Sequence, residues 1–377
     1  MSEYQIVAFR AIDGPVSKAN LEYMERQSSR AEITPWSFDN EYNYSDFRGN
    51  AEEMLRRGYD LHLHYANFGT RKLLVRLPSG LPNAEAAAPY LDGESLRFEK
   101  DKKGPGGILC IEPFHESGDL DDLWEIDDLV ERFLPLRAEI IAGDLRPFYV
   151  AHLAATYSGY QEDEEPTEGP VPAGLNKLTD AQLALAELYG LDESLLAAAA
   201  RGCPPLPPQR DPEKQHAQWL QNQPVEKKDE WLAQMMADAG SAVRAQILTE
   251  YRKSAGTADW PSVRLDRTIA ELESTAEEIQ RATKLKAAKA AERAQVKKLA
   301  AMFTDPTPTI RETERLVAER SSDNYAKVAV LLAELREALA GTKQAALAEQ
   351  QAVKLRSKNP TLSRLVSELR KQGFLKK

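Results

Sequence analysis

Two cysteines, Cys110 and Cys203, are all that 377 residues contain. Two thiols cannot build a disulfide framework, so the expected compartment is a reducing one. Long apolar runs are also missing. Stretches such as LLAAAA before Arg201 fall far below the ~20 residues a membrane-spanning helix needs. The opening MSEYQIVAFR carries an acid at Glu3 and no basic segment ahead of an apolar run, which argues against a secretory leader. A cytoplasmic protein with no membrane partner is the resulting expectation. The glycine-rich KKGPGG at 102–107 lacks the G-x4-G-K-[ST] order of a phosphate loop and joins two strands, so it reads as a hairpin tip. Cys203 has no Cys or His at zinc-ligand spacing. Cys110 has His115 five residues on, but along one strand such positions face opposite ways, and ILCI reads as buried. No motif fixes a chemistry, and no cofactor is expected.

What the sequence does hold is a break in character near residue 170. Up to Pro170 there are 17 Lys+Arg against 32 Asp+Glu; from Val171 onward there are 32 against 27. The first part alternates like strands and is rich in Tyr, Phe and His. The second reads as successive helices of Ala, Leu, Glu, Lys and Arg. Such a switch marks two modules with different surfaces.

The first module shows two hairpin patterns: DLHLHYA turning at Asn67-Phe68-Gly69 into RKLLVRL, and SLRFEK turning through DKKGPGG into ILCIEPF. Short helices after Ser17 and Asn50, and longer ones over 119–141 and 145–157, complete it. The acidic, Pro/Gly-rich QEDEEPTEGPVPAG has little to bury and reads as a linker. Beyond it the spacing predicts short helices over about 212–222, 225–239 and 241–254. Residues 263–303, free of Pro and Gly, predict one long helix with heptad-spaced Ile269, Leu272, Ala276 and Ile279. Leu285, Val296, Leu299 and Phe303 form a second, rotated stripe, so the two ends pack on different neighbours or the helix bends. The expected class is α+β: a small, mainly antiparallel sheet with helices over 1–160, a linker over 161–175, a helical domain over 176–262, and the long helix with C-terminal helices over 263–377.

Three constellations are candidates for function. His62 and His64 share a strand face, a spacing that suits a metal, and Asp39 with Glu41 share a face on another extended stretch, so the four are a candidate mixed nitrogen and oxygen site for a hydrolase. Exposed histidines on a sheet surface are commoner than ligands. Trp36, Phe38, Tyr42 and Tyr44, interleaved with carboxylates, are a candidate partner surface, against the plainer reading of a sheet core. Lys286, Lys289, Arg293 and Lys297 lie on one helix face and suit phosphates or an acidic protein. The leading expectation is a non-enzymatic scaffold or adaptor for other proteins, with a nucleic-acid-associated protein as the alternative.

The strings MSEYQ-x4-RAIDGP, ITPWSFDNEYNYSDFRG and HYANFGTRKLLVRLP, together with IIAGDLRPFYVAHL and PVPAGL, resemble a family of uncharacterised bacterial proteins. The resemblance implies the same two-part layout. It implies no activity, and no functional residue is carried over from it.

Overall fold

A computed structural model describes residues 4–43, 47–115, 120, 123, 126–158, 165–207, 212–236, 240–255 and 259–375. Among them are nine strands: β1 (Gln5–Arg10), β2 (Glu32–Ile33), β3 (Ser37–Tyr42), β4 (Leu61–Ala66), β5 (Arg71–Leu77), β6 (Leu96–Lys100), β7 (Gly107–Ile111), β8 (Val171–Pro172) and β9 (Ser262–Val263). The helices are α1 (Lys18–Glu25), α2 (Ala51–Arg56), α3 (Ala84–Ala87), α4 (Ile126–Arg132), α5 (Leu134–Ile141), α6 (Arg146–Ser158), α7 (Asp180–Leu188), α8 (Glu193–Ala199), α9 (Pro212–Gln221), α10 (Val225–Gln234), α11 (Gly240–Ala255), α12 (Ile269–Thr304), α13 (Thr307–Ala318), α14 (Ser322–Ala338), α15 (Leu347–Lys358) and α16 (Ser363–Lys371). The class is α+β, as the alternation of the first part and the periodicity of the second require.

The first seven strands form one antiparallel sheet in the order β2-β3-β1-β4-β5-β7-β6. Both predicted hairpins are present as β4–β5 and β6–β7. Strand residues alternate between two cores, because successive side chains point to opposite faces. Ala8, Leu61, Leu63, Tyr65, Leu73, Val75, Leu109 and Ile111 face one core. Val7, Phe9, Phe38, Leu74, Ile108 and Cys110 face the other, which α1 and α2 close with Met24, Met54 and Leu55. Asn50 caps α2 by accepting the Glu53 N–H at 2.9 Å, and Glu52, Glu53 and Arg56 complement the helix dipole at its two ends. Gly58 follows at φ +144°, a conformation L side chains rarely adopt.

The compact units divide at Met1–Gln280 and Arg281–Lys377, which corrects the expected boundaries. The reason is packing. Leu185 and Leu188 of α7, Leu195 of α8, and Ile269 and Leu272 of α12 belong to the same core as the sheet. Residues 176–262 are therefore not separate from the sheet module. Nor is the segment before them a free spacer where it is described. Val171–Pro172 pairs with Ser262–Val263, Thr167 bridges Thr268, and Glu168, Val171 and Ala173 are buried. The Glu168 carboxylate, with 0% of its side chain exposed, is met by Arg267, whose Nη2 donates to Oε2 at 2.8 Å, and by the Tyr149 hydroxyl. Arg267 also donates to the carbonyls of Ala198, Ala199 and Arg201, the unsatisfied end of α8. A composition rich in acids and prolines gave no warning that one acid was to be buried and paired.

Within the second unit, α13–α16 enclose Leu316, Val328, Leu332, Leu335, Leu355, Leu365 and Leu369. The long helix α12 begins at Ile269, six residues later than expected, because Ser262–Val263 is spent on β9. Its heptad-spaced residues enter the first unit's core and do not form a coiled-coil seam, while Met302 is buried in the second unit's core. Residues 281–294 between them are all exposed. Ala-rich sequence sustains that stretch, and Glu271 in the first turn suits the dipole.

Arg267→Gln is expected to destabilise the first unit by ~3–5 kcal/mol, the cost of leaving a buried carboxylate without its cation. Urea unfolding measures it. A loss under ~1 kcal/mol, the size typical of a surface ion pair, would show that Glu168 does not depend on Arg267.

Candidate functional site

The four proposed metal ligands are not brought together. Register decides this: His62 of β4 pairs with Phe9 of β1, and Phe9 pairs on its other side with Phe38 of β3. His64, Val7 and Asn40 form the next row on the same face. Asp39 pairs with Ala8 and Glu41 with Ile6, so both carboxylates sit on the opposite face of the sheet. Among the described residues no group of three or more His, Cys, Asp or Glu could hold a metal ion. The spacing within each pair was legible in the sequence; the pairing of β1 between them was not.

Each of these residues has a structural occupation. The His62 ring stacks on Phe9 with centroids 4.1 Å apart and is 1% exposed. Its Nδ1 lies 3.1 Å from the Ala8 carbonyl. A carbonyl only accepts, so Nδ1 carries the hydrogen and Nε2 is a bare acceptor. Burial pushes the His62 pKa well below the ordinary value, reinforced by His64 nearby. His64 Nε2 is 2.9 Å from Gln5 Oε1. Asp39 is paired with Arg10 at 2.6 Å, and Arg10 also holds Glu131 at 2.8 Å. Burial raises the Asp39 pKa in spite of that cation.

Beside the two histidines lies an open cleft of about 470 Å³, lined by Phe47, Asn50, His62, His64, Lys72 and Leu74 among others. Lys72 is spent on Glu112 at 3.0 Å. Cys110 is no nucleophile: burial pushes its thiol up to about 12. His115 stacks on Tyr189 with ring centroids 6.3 Å apart.

The aromatic stretch is core for the most part. Phe38 is 0% exposed and Tyr42 9%, which removes both from a partner surface; Trp36 remains exposed, and Tyr44 lies outside the described residues. Phe38 and Phe9 meet edge to face at 5.3 Å.

The basic stripe, by contrast, is where the sequence put it. Lys286, Lys289, Arg293 and Lys297 are all exposed on α12. Residues 281–300 hold seven Lys+Arg and one acid, Glu292. Sequence reasoning missed a second surface, on α10. Val225 and Leu232, with Met235 and Met236 in the turn that follows, are 49–88% exposed. Their spacing of seven and eleven residues from Val225 was the available signal.

No family model, curated protein or solved structure matches the chain. Among the described residues no helix is long and apolar enough to cross a membrane.

The His62 environment predicts acid sensitivity. The unfolded chain protonates this ring near pH 6.5, and the folded one only at lower pH. Stability is therefore full above that value and falls as the pH drops below it, by at most ~1.4 kcal/mol per unit for this group. His152, also lowered by burial, adds in the same direction. Urea midpoints at pH 7.5 and 5.5 should differ less for His62→Asn, which keeps a donor for Ala8 and has no titrating ring. An unchanged difference would assign the effect elsewhere.

Proposed function

We propose that the protein is a non-enzymatic scaffold that holds other proteins through an acidic N-terminal unit and a basic helical C-terminal region. One observation carries this reading. Counted at the structural boundary, Met1–Gln280 has 28 Lys+Arg against 49 Asp+Glu, and Arg281–Lys377 has 21 against 10. The balances are −21 and +11, a sharper polarity than the division at residue 170 suggested. Surfaces of opposite sign on one chain steer and select different partners, and they need no bond-making group. The two free thiols, one buried and one partly so, fit a reducing cytoplasm.

Affinity purification of the full chain tests this. The expected result is a protein partner in stoichiometric amount that is lost from Lys286→Glu/Lys289→Glu/Arg293→Glu/Lys297→Glu. All four positions are exposed, so the fold is spared. A partner retained by the variant, or none at all, overturns the reading.

A nucleic-acid partner is the second reading, favoured by the density of exposed cations over 281–300. Four phosphate contacts imply that a fourfold rise in salt weakens binding on the order of 100-fold. Fluorescence anisotropy with a labelled duplex and a labelled single strand checks it. A flat salt response excludes it.

A further inference from the structure

Two helices of this chain carry exposed faces that match each other. On α12, Leu285, Val296 and Phe303 are 57–62% exposed and, at about 100° per residue, fall on one line of the helix. Lys286, Lys289, Arg293 and Lys297 form a second line about a quarter turn away, in the direction of increasing residue number. On α10, Val225 and Leu232 form an exposed apolar line. Glu226, Asp229 and Glu230, all exposed, lie about a quarter turn from it in the same rotational sense. Val296 and Phe303 are seven residues apart, as are Val225 and Leu232, about 10 Å along each helix.

We propose that α12 docks, antiparallel, on α10 of a second copy of this chain. The orientation follows from the handedness. When two helices face each other by their apolar lines, flanks displaced in the same rotational sense fall on opposite sides if the helices run parallel, and on the same side if they run antiparallel. Only the antiparallel arrangement sets Lys286, Lys289, Arg293 and Lys297 against Glu226, Asp229 and Glu230. Both faces are exposed, and each carries the charge that complements the other. A second copy therefore supplies the match. Each copy carries both faces, so the contact is complementary between copies. An acidic, partly apolar protein surface also fits α12 better than a nucleic acid does. Phosphates have no use for Leu285, Val296 and Phe303, and the tethered unit of charge −21 repels a polyanion. Glu292, the one acid of 281–300, lies on the apolar line.

This inference rests on the scaffold reading and names one of its partners. Light scattering with size-exclusion chromatography on the full chain tests it. The expected result is a dimer at low salt that becomes a monomer at high salt. Reversing the four α12 cations to Glu weakens the dimer by on the order of 100-fold, and Glu226→Lys/Asp229→Lys/Glu230→Lys does the same. Mixing the two reversed sets in one chain restores it, which a merely structural role would not do. A monomer under all conditions, or a dimer indifferent to both reversals, overturns the inference. A monomer that still captures a foreign protein through α12 sinks the inference and leaves the scaffold reading. A dimer with no foreign partner does the reverse.

Discussion

The buried carboxylate of Glu168 is the constraint from which the first unit is organised. A charge that leaves water must be paired and hydrogen-bonded, or it costs several kcal/mol. Arg267 supplies the pairing, and Tyr149 adds a hydroxyl. The chain at 166–173 is thereby fastened to the chain at 262–268, with β8–β9 and the Thr167–Thr268 bridge beside it. The same guanidinium closes the end of α8. Two residues beyond Arg267 the long helix begins, so the fixing of one acid also sets where α12 leaves the core. Buried Arg137, paired with Asp13 and Asp60, and Arg146, paired with Asp144, follow the same rule at other seams of the unit.

Local features were legible in the sequence. Alternation placed β4 and β5, and the faces of His62 and Leu63 followed from it. Caps at Ser17 and Asn50 were readable three residues ahead of the amides whose hydrogens they accept. The long helix was visible too, but its second stripe does not pack as expected: Leu285, Val296 and Phe303 are exposed, and the residue of that end buried in the second core is Met302. What was not legible depends on partners far away in the chain. Nothing near Asp39 says that β1 will stand between it and His62. Nothing in an acidic, proline-rich stretch says that Glu168 will find Arg267, 99 residues on.

The misplaced domain boundary has the same origin. Composition changes at 170, but packing does not respect composition: helices α4, α5 and α6 already precede that point and share one core with α7 and α8 beyond it. The apolar face of α7 is covered by α4, α5 and α6, and through them it joins the core of the sheet. The electrostatic boundary, by contrast, coincides with the packing boundary once both are taken at 280/281.

The uninterrupted helical stretch 281–294 acts as a phase lock. An insertion of one residue between Leu285 and Val296 would turn Val296 and Phe303 by about 100° relative to Leu285. Val296 and Phe303 would leave its line, and the stripe would be scrambled without loss of a single side chain. Only insertions near whole numbers of turns, such as seven or eleven residues, would keep the faces aligned. Length variation in this helix is therefore constrained by rotation more than by reach.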